Sequence, residues 1–219
     1  MVNHKRIQRL YKEEGLILRR RHRKKLASTL RTDVPKPKYF NHIWSMDFLK
    51  DNLANKRKFK AFPVIDEYSR KCYSIEVDTS ITGKRVCEAL NRVAQEQLVL
   101  PEIRIIDNGL EFVSNALDQW AYKRGIKLFF ISPGKPIENC YIESFNGKFR
   151  DECLNMHWFL DLLQSRRIIE EWRIDYNTER PYSSLGYLTP EEFLKQENEK
   201  ITAITPKESA SFVKLTMVQ

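Results

Sequence analysis

The stretch Ser132–Asn155 reads Ser-Pro-Gly-Lys-Pro-Ile-Glu-Asn-Cys-Tyr-Ile-Glu-Ser-Phe-Asn-Gly-Lys-Phe-Arg-Asp-Glu-Cys-Leu-Asn. Its Pro and Gly residues end the preceding strand, and Pro136 suits a helix start because the first turn does not need its N–H. From there apolar residues recur every three or four positions, which predicts a helix with one buried face. That face carries Ile142, Phe145, Phe149 and Cys153.

A second face of this predicted helix is polar in an unusual way. A solvated face usually mixes Lys and Glu, whereas this one sets a carboxylate between two amides, with a guanidinium one turn further on. A single Glu on a helix is most often only solvated, so the interpretation depends on carboxylates elsewhere in the chain. The pattern favours a face that binds a metal ion and a phosphate, and its members are Asn139, Glu143, Asn146, Gly147 and Arg150.

Two upstream strands each bring another carboxylate. Residues 103–109 read Ile-Arg-Ile-Ile-Asp-Asn-Gly, so a β-branched strand ends at Asp107, at the edge where ligands of open α/β sheets bind. Residues 42–49 form an apolar strand that contains Asp47. Asp is disfavoured in strands, and a buried carboxylate needs a partner or an ion. Asp47, Asp107 and Glu143 are therefore candidate catalytic residues, with 35 residues between the last two.

Taken together, these motifs resemble the OrfB-type catalytic subunits of bacterial insertion-sequence transposases, which carry a retroviral-integrase-like DDE core. The resemblance covers roughly residues 40–195, and several long motifs occur in the family's order and spacing. The matching runs are Trp44–Phe48, Asp107–Phe112, Pro133–Pro136, Glu143–Asn155 and Trp172–Tyr187. The chain departs from the family pattern at Leu110, Glu138 and Tyr182, where Pro, Gln and His are common.

The resemblance implies an α/β fold of the ribonuclease H-like class, a mixed five-stranded sheet with flanking helices. It also implies that the strands of Asp47 and Asp107 lie side by side. A basic N-terminal arm (1–34) would precede the core (35–197), and a polar tail (198–219) would follow it. Strands are predicted at 42–49, 59–65, 72–77, 103–107 and 126–131, and helices at 3–14, 82–97, 114–123, from Pro136 onward, at 158–178 and from Thr189.

Three carboxylates without His or Cys ligands suit hard cations, and the expected cofactor is a pair of Mg²⁺ ions, with Mn²⁺ as a substitute. By resemblance, Asp47 would contact both ions, while Asp107 and Glu143 would each complete one site. The implied reaction frees a transposon end and then joins its 3′-hydroxyl to target DNA, without a covalent protein–DNA intermediate.

The positive charge of the chain is concentrated at its start. Residues 1–40 hold 13 Lys and Arg against 3 Asp and Glu, whereas residues 41–219 hold 25 against 26. Such an arm is typical of polyanion binding, so double-stranded DNA of transposon ends and target is the expected partner. The predicted DNA-binding residues are Arg19, Arg20, Arg21, Arg23, Lys24, Lys25, Lys135, Asn139, Asn146, Lys148 and Arg150.

The resemblance implies two further partners, an upstream OrfA-type protein or fused segment and other copies of the chain assembled on DNA. No run is apolar enough to predict a membrane span, and no membrane partner is expected. The four cysteines have no zinc-type spacing, so we expect reduced thiols of a cytoplasmic protein that is nucleoid-associated when active. They are Cys72, Cys87, Cys140 and Cys153.

Two other functions compete with the transposase interpretation. One is a metal-dependent nuclease of the ribonuclease H class. The spacing from Asp107 to Glu143 and the long motif after Glu143 argue against it. The other is a non-catalytic, transposon-derived DNA-binding protein, against which the intact set of three carboxylates argues. Asp66 and Asp78 are rival carboxylates, but the pattern favours a hairpin turn for the first and a strand end for the second.

Overall fold

The computed structural model describes residues 3–14, 35–97, 100–106, 115–130 and 139–204. The chain divides into two compact units, Met1–Pro35 and Lys36–Gln219. In the first unit, helix α1 spans His4–Glu13, close to the predicted range. Its start is capped by Asn3, whose side-chain oxygen accepts a hydrogen bond from the N–H of Lys5 at 3.0 Å.

The second unit alternates strands and helices in the predicted order. Helix α4 continues into a π-helical turn, Arg150–Leu154, and a short 3₁₀ turn, Ser183–Leu185, follows α5. The elements are β1 Ile43–Met46, β2 Leu49–Asn52, β3 Lys58–Asp66, β4 Cys72–Asp78, α2 Gly83–Gln97, β5 Ile103–Ile106, α3 Asn115–Lys123, β6 Lys127–Phe130, α4 Cys140–Phe149, α5 Leu162–Thr178 and α6 Pro190–Ile204.

The sheet is mixed and ribonuclease H-like. Strand β3 pairs antiparallel with β1, β2 and β4, while β1 pairs parallel with β5 and β5 pairs parallel with β6. Ile43 of β1 lies opposite Ile103 of β5, so the strand that leads to Asp47 and the strand that leads to Asp107 are neighbours, as predicted. Their parallel directions bring both strand ends to the same edge of the sheet.

The sheet has six strands where five were predicted, because the predicted strand 42–49 is interrupted. Trp44 of β1 lies opposite Asp66 of β3, and Leu49 of β2 lies opposite Ala61, which is one continuous register. The two short strands therefore run in line along one side of β3, and the sheet remains five strands wide. The interruption falls at residues 47 and 48, at the site itself.

Each face of the sheet carries its own core. Helices α4 and α5 cover one face, where Ile142, Phe145, Phe149 and Cys153 are all buried as the sequence predicted. Helices α2 and α3 cover the other face, whose core includes Trp44. Helix α6 runs to Ile204 and so continues past the boundary predicted at residue 197.

The four cysteines are free thiols. Burial raises the pKa of the Cys153 thiol to about 12, which keeps it protonated and unreactive at neutral pH. Among the residues that the structure describes, none of the helices has the length and apolar character needed to span a bilayer.

A fully buried arginine interrupts the second core. The guanidinium carbon of Arg104 lies 4.4 Å from the ring centre of Trp120 and 5.2 Å from that of Trp44, and its Nη1 lies 3.7 Å from the sulfur of Met46. Its Nε and Nη2 atoms are buried and find no hydrogen-bond partner among the described residues. Burial lowers the pKa of Arg104 to about 9, so the side chain is still charged at neutral pH.

We expect Arg104→Met to raise the free energy of unfolding at pH 7 by about 1–3 kcal/mol. The guanidinium has no ion pair among the described residues, and the free-energy cost of burying its charge exceeds the stabilisation from its contacts with the two tryptophan rings. The gain should shrink above about pH 9, where the native guanidinium begins to lose its proton. Urea unfolding at pH 7 and above about pH 9 measures the difference in free energy of unfolding, with exposed Arg57→Met as the control. A loss of stability at pH 7 would contradict the prediction.

Candidate active site

Asp47 lies in the gap between β1 and β2. In the register of these strands it stands opposite Pro63, which has no N–H to donate to a neighbouring strand. One carboxylate oxygen of Asp47, Oδ1, accepts the N–H of Phe48 at 2.7 Å. The other, Oδ2, accepts Nδ2 of Asn146 at 2.8 Å. A local hydrogen bond and a distant one thus both help to orient the side chain at the end of a strand.

Glu143 reaches the same place from helix α4. It lies in the first turn of that helix, where the partial positive charge of the helix end favours an anion. Asp47 and Glu143 share one surface groove, which we call the carboxylate groove. The groove is lined by Asp47, Phe48, Leu49, Lys50, Glu143, Asn146, Gly147 and Arg150.

The groove combines anionic and cationic side chains. Glu143 is exposed and, among residues 35–97, 100–106, 115–130 and 139–204, no Lys, Arg or His nitrogen lies within 4 Å of its carboxylate. Lys50 and Arg150 are exposed along the same groove. Two carboxylates with nearby cations can hold a metal ion and a phosphate together. Lys50 was not predicted, because it lies one residue beyond the predicted end of the strand.

The predicted DNA-binding residues of α4 have different surroundings. Asn146 gives its amide N–H to Asp47, and its Oδ1 is buried without a partner in the described part of the chain. Asn139 is buried at the helix start and makes no side-chain capping bond. Arg150 lines the groove, whereas Lys148 points elsewhere, with its Nζ 4.1 Å from the ring centre of Tyr182. Phosphate contact by these four residues stays a prediction.

Several predicted residues lie outside the described residues. They include the third carboxylate, Asp107, which would directly follow β5, and Lys135 in the loop before α4. Within the described ranges, no three His, Cys, Asp or Glu side chains are grouped closely enough to hold a metal ion. The basic run is also outside them, namely Arg19, Arg20, Arg21, Arg23, Lys24 and Lys25.

The rival carboxylates have structural partners. Asp66 is buried in the β3–β4 turn, where it accepts the N–H and hydroxyl of Ser69, each at 2.7 Å, and the N–H of Asn41 at 2.9 Å. Asp78 ends β4 and pairs with Arg85 and Arg166 at 2.9 and 3.0 Å. Both placements agree with the turn and strand-end interpretations.

A second buried carboxylate, Glu67, lies next to the strand of Asp47. Its Oε1 accepts a hydrogen bond from the hydroxyl of Ser45 in β1, and its Oε2 is buried with no partner in the described ranges of the chain. Burial raises the pKa of Glu67 to about 7, against the smaller lowering effects of Ser45 and Arg70. Glu67 was not among the predicted site residues, because a Glu in a hairpin turn is normally exposed.

Glu67→Gln should stabilise the protein more at pH 8 than at pH 5. The native pKa is raised above the unfolded value, so the folded state binds more protons between about pH 4.5 and 7 and the wild type loses stability as pH rises through that window. The amide cannot ionise, and its advantage at pH 8 should reach roughly 2–3 kcal/mol. Urea unfolding at both pH values, with exposed Glu88→Gln as the control, checks this; equal effects at pH 5 and 8 would contradict it.

The fold of the chain is shared with retroviral integrase cores. The magnesium complex of the HTLV-2 integrase catalytic core domain in its trimeric form superposes with a TM-score of 0.53 at 19% identity, covering 70% of this chain and 95% of that one. The BIV integrase catalytic core domain gives a TM-score of 0.54 at 18% identity, covering 74% and 99%. At such identities the likeness establishes the fold alone.

Similarity in sequence identifies the family of the chain as well as its fold. Two family models, both described as Integrase core domain, match residues 38–136 and 124–190. The 31.7 kDa protein of insertion element IS407 from Burkholderia multivorans is 49% identical over 192 residues, which are 88% of this chain and 69% of that protein. The 39.2 kDa protein of insertion element IS476 from Xanthomonas euvesicatoria is 45% identical over 88% of this chain, which spans only 55% of that relative. With its integrase-like sheet and its near neighbours among insertion-element proteins, the chain belongs to the insertion-sequence transposases of the DDE integrase superfamily.

Proposed function

We propose that this chain is the catalytic subunit of a transposase, which cleaves a phosphodiester at a transposon end and transfers the freed 3′-hydroxyl to target DNA. The observation that carries the proposal is the carboxylate groove. Asp47 from the sheet and Glu143 from α4, far apart in sequence, lie in one groove that also holds Lys50 and Arg150. Asp107 would be the third carboxylate, because it follows β5, the parallel neighbour of β1.

The donor set fits hard divalent cations. The two described acidic side chains of the groove offer carboxylate oxygens, and no His or Cys lines it among the described residues. Asp47, Asp107 and Glu143 would hold two Mg²⁺ ions, with Mn²⁺ as a substitute. When bound, such ions supply Lewis-acid activation of a hydroxyl nucleophile and stabilise charge on the leaving oxygen.

The side chains around the carboxylates have their own roles in this proposal. Asn146 holds Oδ2 of Asp47 at 2.8 Å and so fixes the orientation of that carboxylate. Lys50 and Arg150 are placed to contact phosphate oxygens of DNA in the groove, and Arg150 can do so through two parallel N–H bonds. A DNA phosphate bound in the groove would therefore lie near Lys50 and Arg150 as well as near the proposed metal-binding carboxylates.

The partners follow from the same proposal. The substrate is double-stranded DNA, both the transposon end and the target, and the basic arm would add sequence-independent phosphate contacts. Joining requires two DNA ends to be held together, so the chain would act as a homo-oligomer on DNA. An upstream OrfA-type protein or fused segment would recognise the transposon ends.

The test is strand transfer in Mn²⁺, with supercoiled plasmid as target and a short duplex with a free 3′-hydroxyl as donor. The wild type is compared with Glu143→Gln and with Glu171→Gln, an exposed glutamate of α5, as the matched control. Joined products that disappear only in Glu143→Gln would support the proposal. Nicking without joining would favour a nuclease, and DNA binding with neither reaction nor metal binding would favour a non-catalytic DNA-binding protein.

A further inference from the structure

Three cationic side chains gather on the side of α4 that faces away from the carboxylate groove. The guanidinium carbon of Arg70 lies 3.9 Å from the ring centre of Tyr141. The ring of Tyr182 is approached by Nζ of Lys148 at 4.1 Å and by the guanidinium of Arg180 at 5.8 Å. We call Arg70, Lys148 and Arg180 the cationic cluster.

The cluster is separate from the carboxylate groove. At about 100° per residue, Lys148 lies roughly 140° around the helix axis from Glu143, and none of the three cations lines the groove. The exposed helix surface between them carries the small side chains of Cys140, Ser144 and Gly147. Among the residues that the structure describes, a Cβ added to Gly147 would meet no atom within 4 Å, so a ligand could approach the helix there.

The positive charge of the cluster is only partly offset by carboxylates in the described part of the chain. Glu152 pairs closely with Arg180, but in the described part of the chain no carboxylate lies within 4 Å of Lys148. Arg70 gives an N–H to the backbone carbonyl of Glu67, which carries no full charge. Burial is the main cause that lowers the pKa of Lys148, and the nearby Arg180 and Arg70 lower it further against the opposing charge of Glu152.

Arg70 is held by contacts of both its backbone and its side chain. Arg70 has a positive φ of 63°, an uncommon conformation for a residue with a Cβ. Its carbonyl accepts the hydroxyl of Tyr176 at 3.1 Å, and its guanidinium is stacked on Tyr141. Half-buried cations that are already ordered by ring contacts lose little conformational entropy when they bind an anion.

We propose that the cationic cluster binds a backbone phosphate of DNA outside the carboxylate groove. The inference rests on the proposed function and adds a second contact to it. The phosphate oxygens would accept N–H groups of Arg70, Lys148 and Arg180, while the tyrosine rings keep the cations oriented. The DNA backbone would then cross the small side chains of α4, with phosphates held on both sides of the helix.

The alternative is a purely structural role. The ring contacts and the Arg180–Glu152 pair would then only stabilise the packing of the turn after α5 against α4. The two roles differ in their salt dependence. Loss of a phosphate contact lowers the slope of log affinity against log salt by about 1 per cation. Loss of a structural contact lowers thermal stability without changing that slope.

The experiment measures affinity for a 30-base-pair duplex from about 50 to 200 mM salt without divalent metal, a range in which phosphate contacts change affinity strongly. The variants are Lys148→Gln, Lys148→Gln with Arg180→Gln, and Arg180→Lys, which keeps the charge. We expect the slope to fall by about 1 in the single and about 2 in the double variant, and to be retained in Arg180→Lys. Lys84→Gln, which removes an exposed cation on α2, is the matched control.

An unchanged slope in Lys148→Gln and in the double variant would overturn the inference, even if their melting temperatures fall. A wild type that binds DNA and joins strands, alongside variants with unchanged slopes, would overturn the cluster alone. A wild type that neither binds duplex nor joins strands would overturn the proposed function together with it. If the double variant fails to fold, the single variant and Arg180→Lys still decide between the two roles.

Discussion

Asp47→Asn should abolish strand transfer, with the rate falling at least about a thousandfold, which corresponds to roughly 4 kcal/mol of transition-state stabilisation. The substitution removes the negative charge that the proposed ions need and leaves the size of the side chain unchanged. Asn can still accept one of the two hydrogen bonds that Phe48 and Asn146 now donate to Asp47. We therefore expect a cost in folding stability of only about 1 kcal/mol.

Two companion variants make this prediction specific. Asp51→Asn alters the neighbouring strand β2, where Asp51 accepts the N–H of Asn52 at 2.7 Å, and strand transfer should stay within about threefold of the wild type. Asn146→Ala removes the hydrogen bond that orients Asp47 and should slow the reaction by about 10–100-fold. The measurement is the single-turnover rate of strand joining for each variant and for the wild type. An Asp47→Asn protein within tenfold of the wild type would rule out Asp47 as a metal ligand.

Phe145→Ala should lower the free energy of unfolding by about 3–5 kcal/mol, a large share of the stability of a typical domain. Phe145 is 2% exposed, and its ring centre lies 4.9 Å from that of Tyr176, 5.6 Å from that of Trp172 and 6.2 Å from that of Phe149. Truncation leaves a cavity among rigid rings that cannot easily collapse. Urea unfolding at pH 7 measures the loss.

The matched control is Tyr122→Ala on α3, where the ring is 88% exposed and truncation should change stability by no more than about 0.5 kcal/mol. Phe145 also lies two residues after Glu143 on the same helix. Since that packing fixes α4 on the sheet, the variant should lose joining activity at temperatures where it is still folded. A loss below about 1 kcal/mol would mean that the aromatic cluster repacks around the missing ring.

The sequence alone determined the local features of the fold. Period-3.6 spacing predicted the buried face that runs from Ile142 in α4 to Cys153 in the π-helical turn after it, and every member is buried. The apolar runs around β3, β4 and β5 predicted strands within one or two residues of their observed ends. These features follow from the chain itself, because the period of apolar residues has to match the period of the backbone. The family resemblance added the order of strands, and the pairing of β1 with β5 confirms it.

The tertiary structure decided which distant groups meet. The break at Asp47 arises opposite Pro63, and the hydrogen bond from Asn146 to Asp47 joins groups 99 residues apart. Lys148 was predicted with the residues near Glu143, but its ring contact with Tyr182 depends on the turn after α5. Spacing along a helix tells which side chains share a face and nothing of what that face will touch. Contacts, burial and charge balance at the site are set by packing between elements, and only the folded chain supplies them.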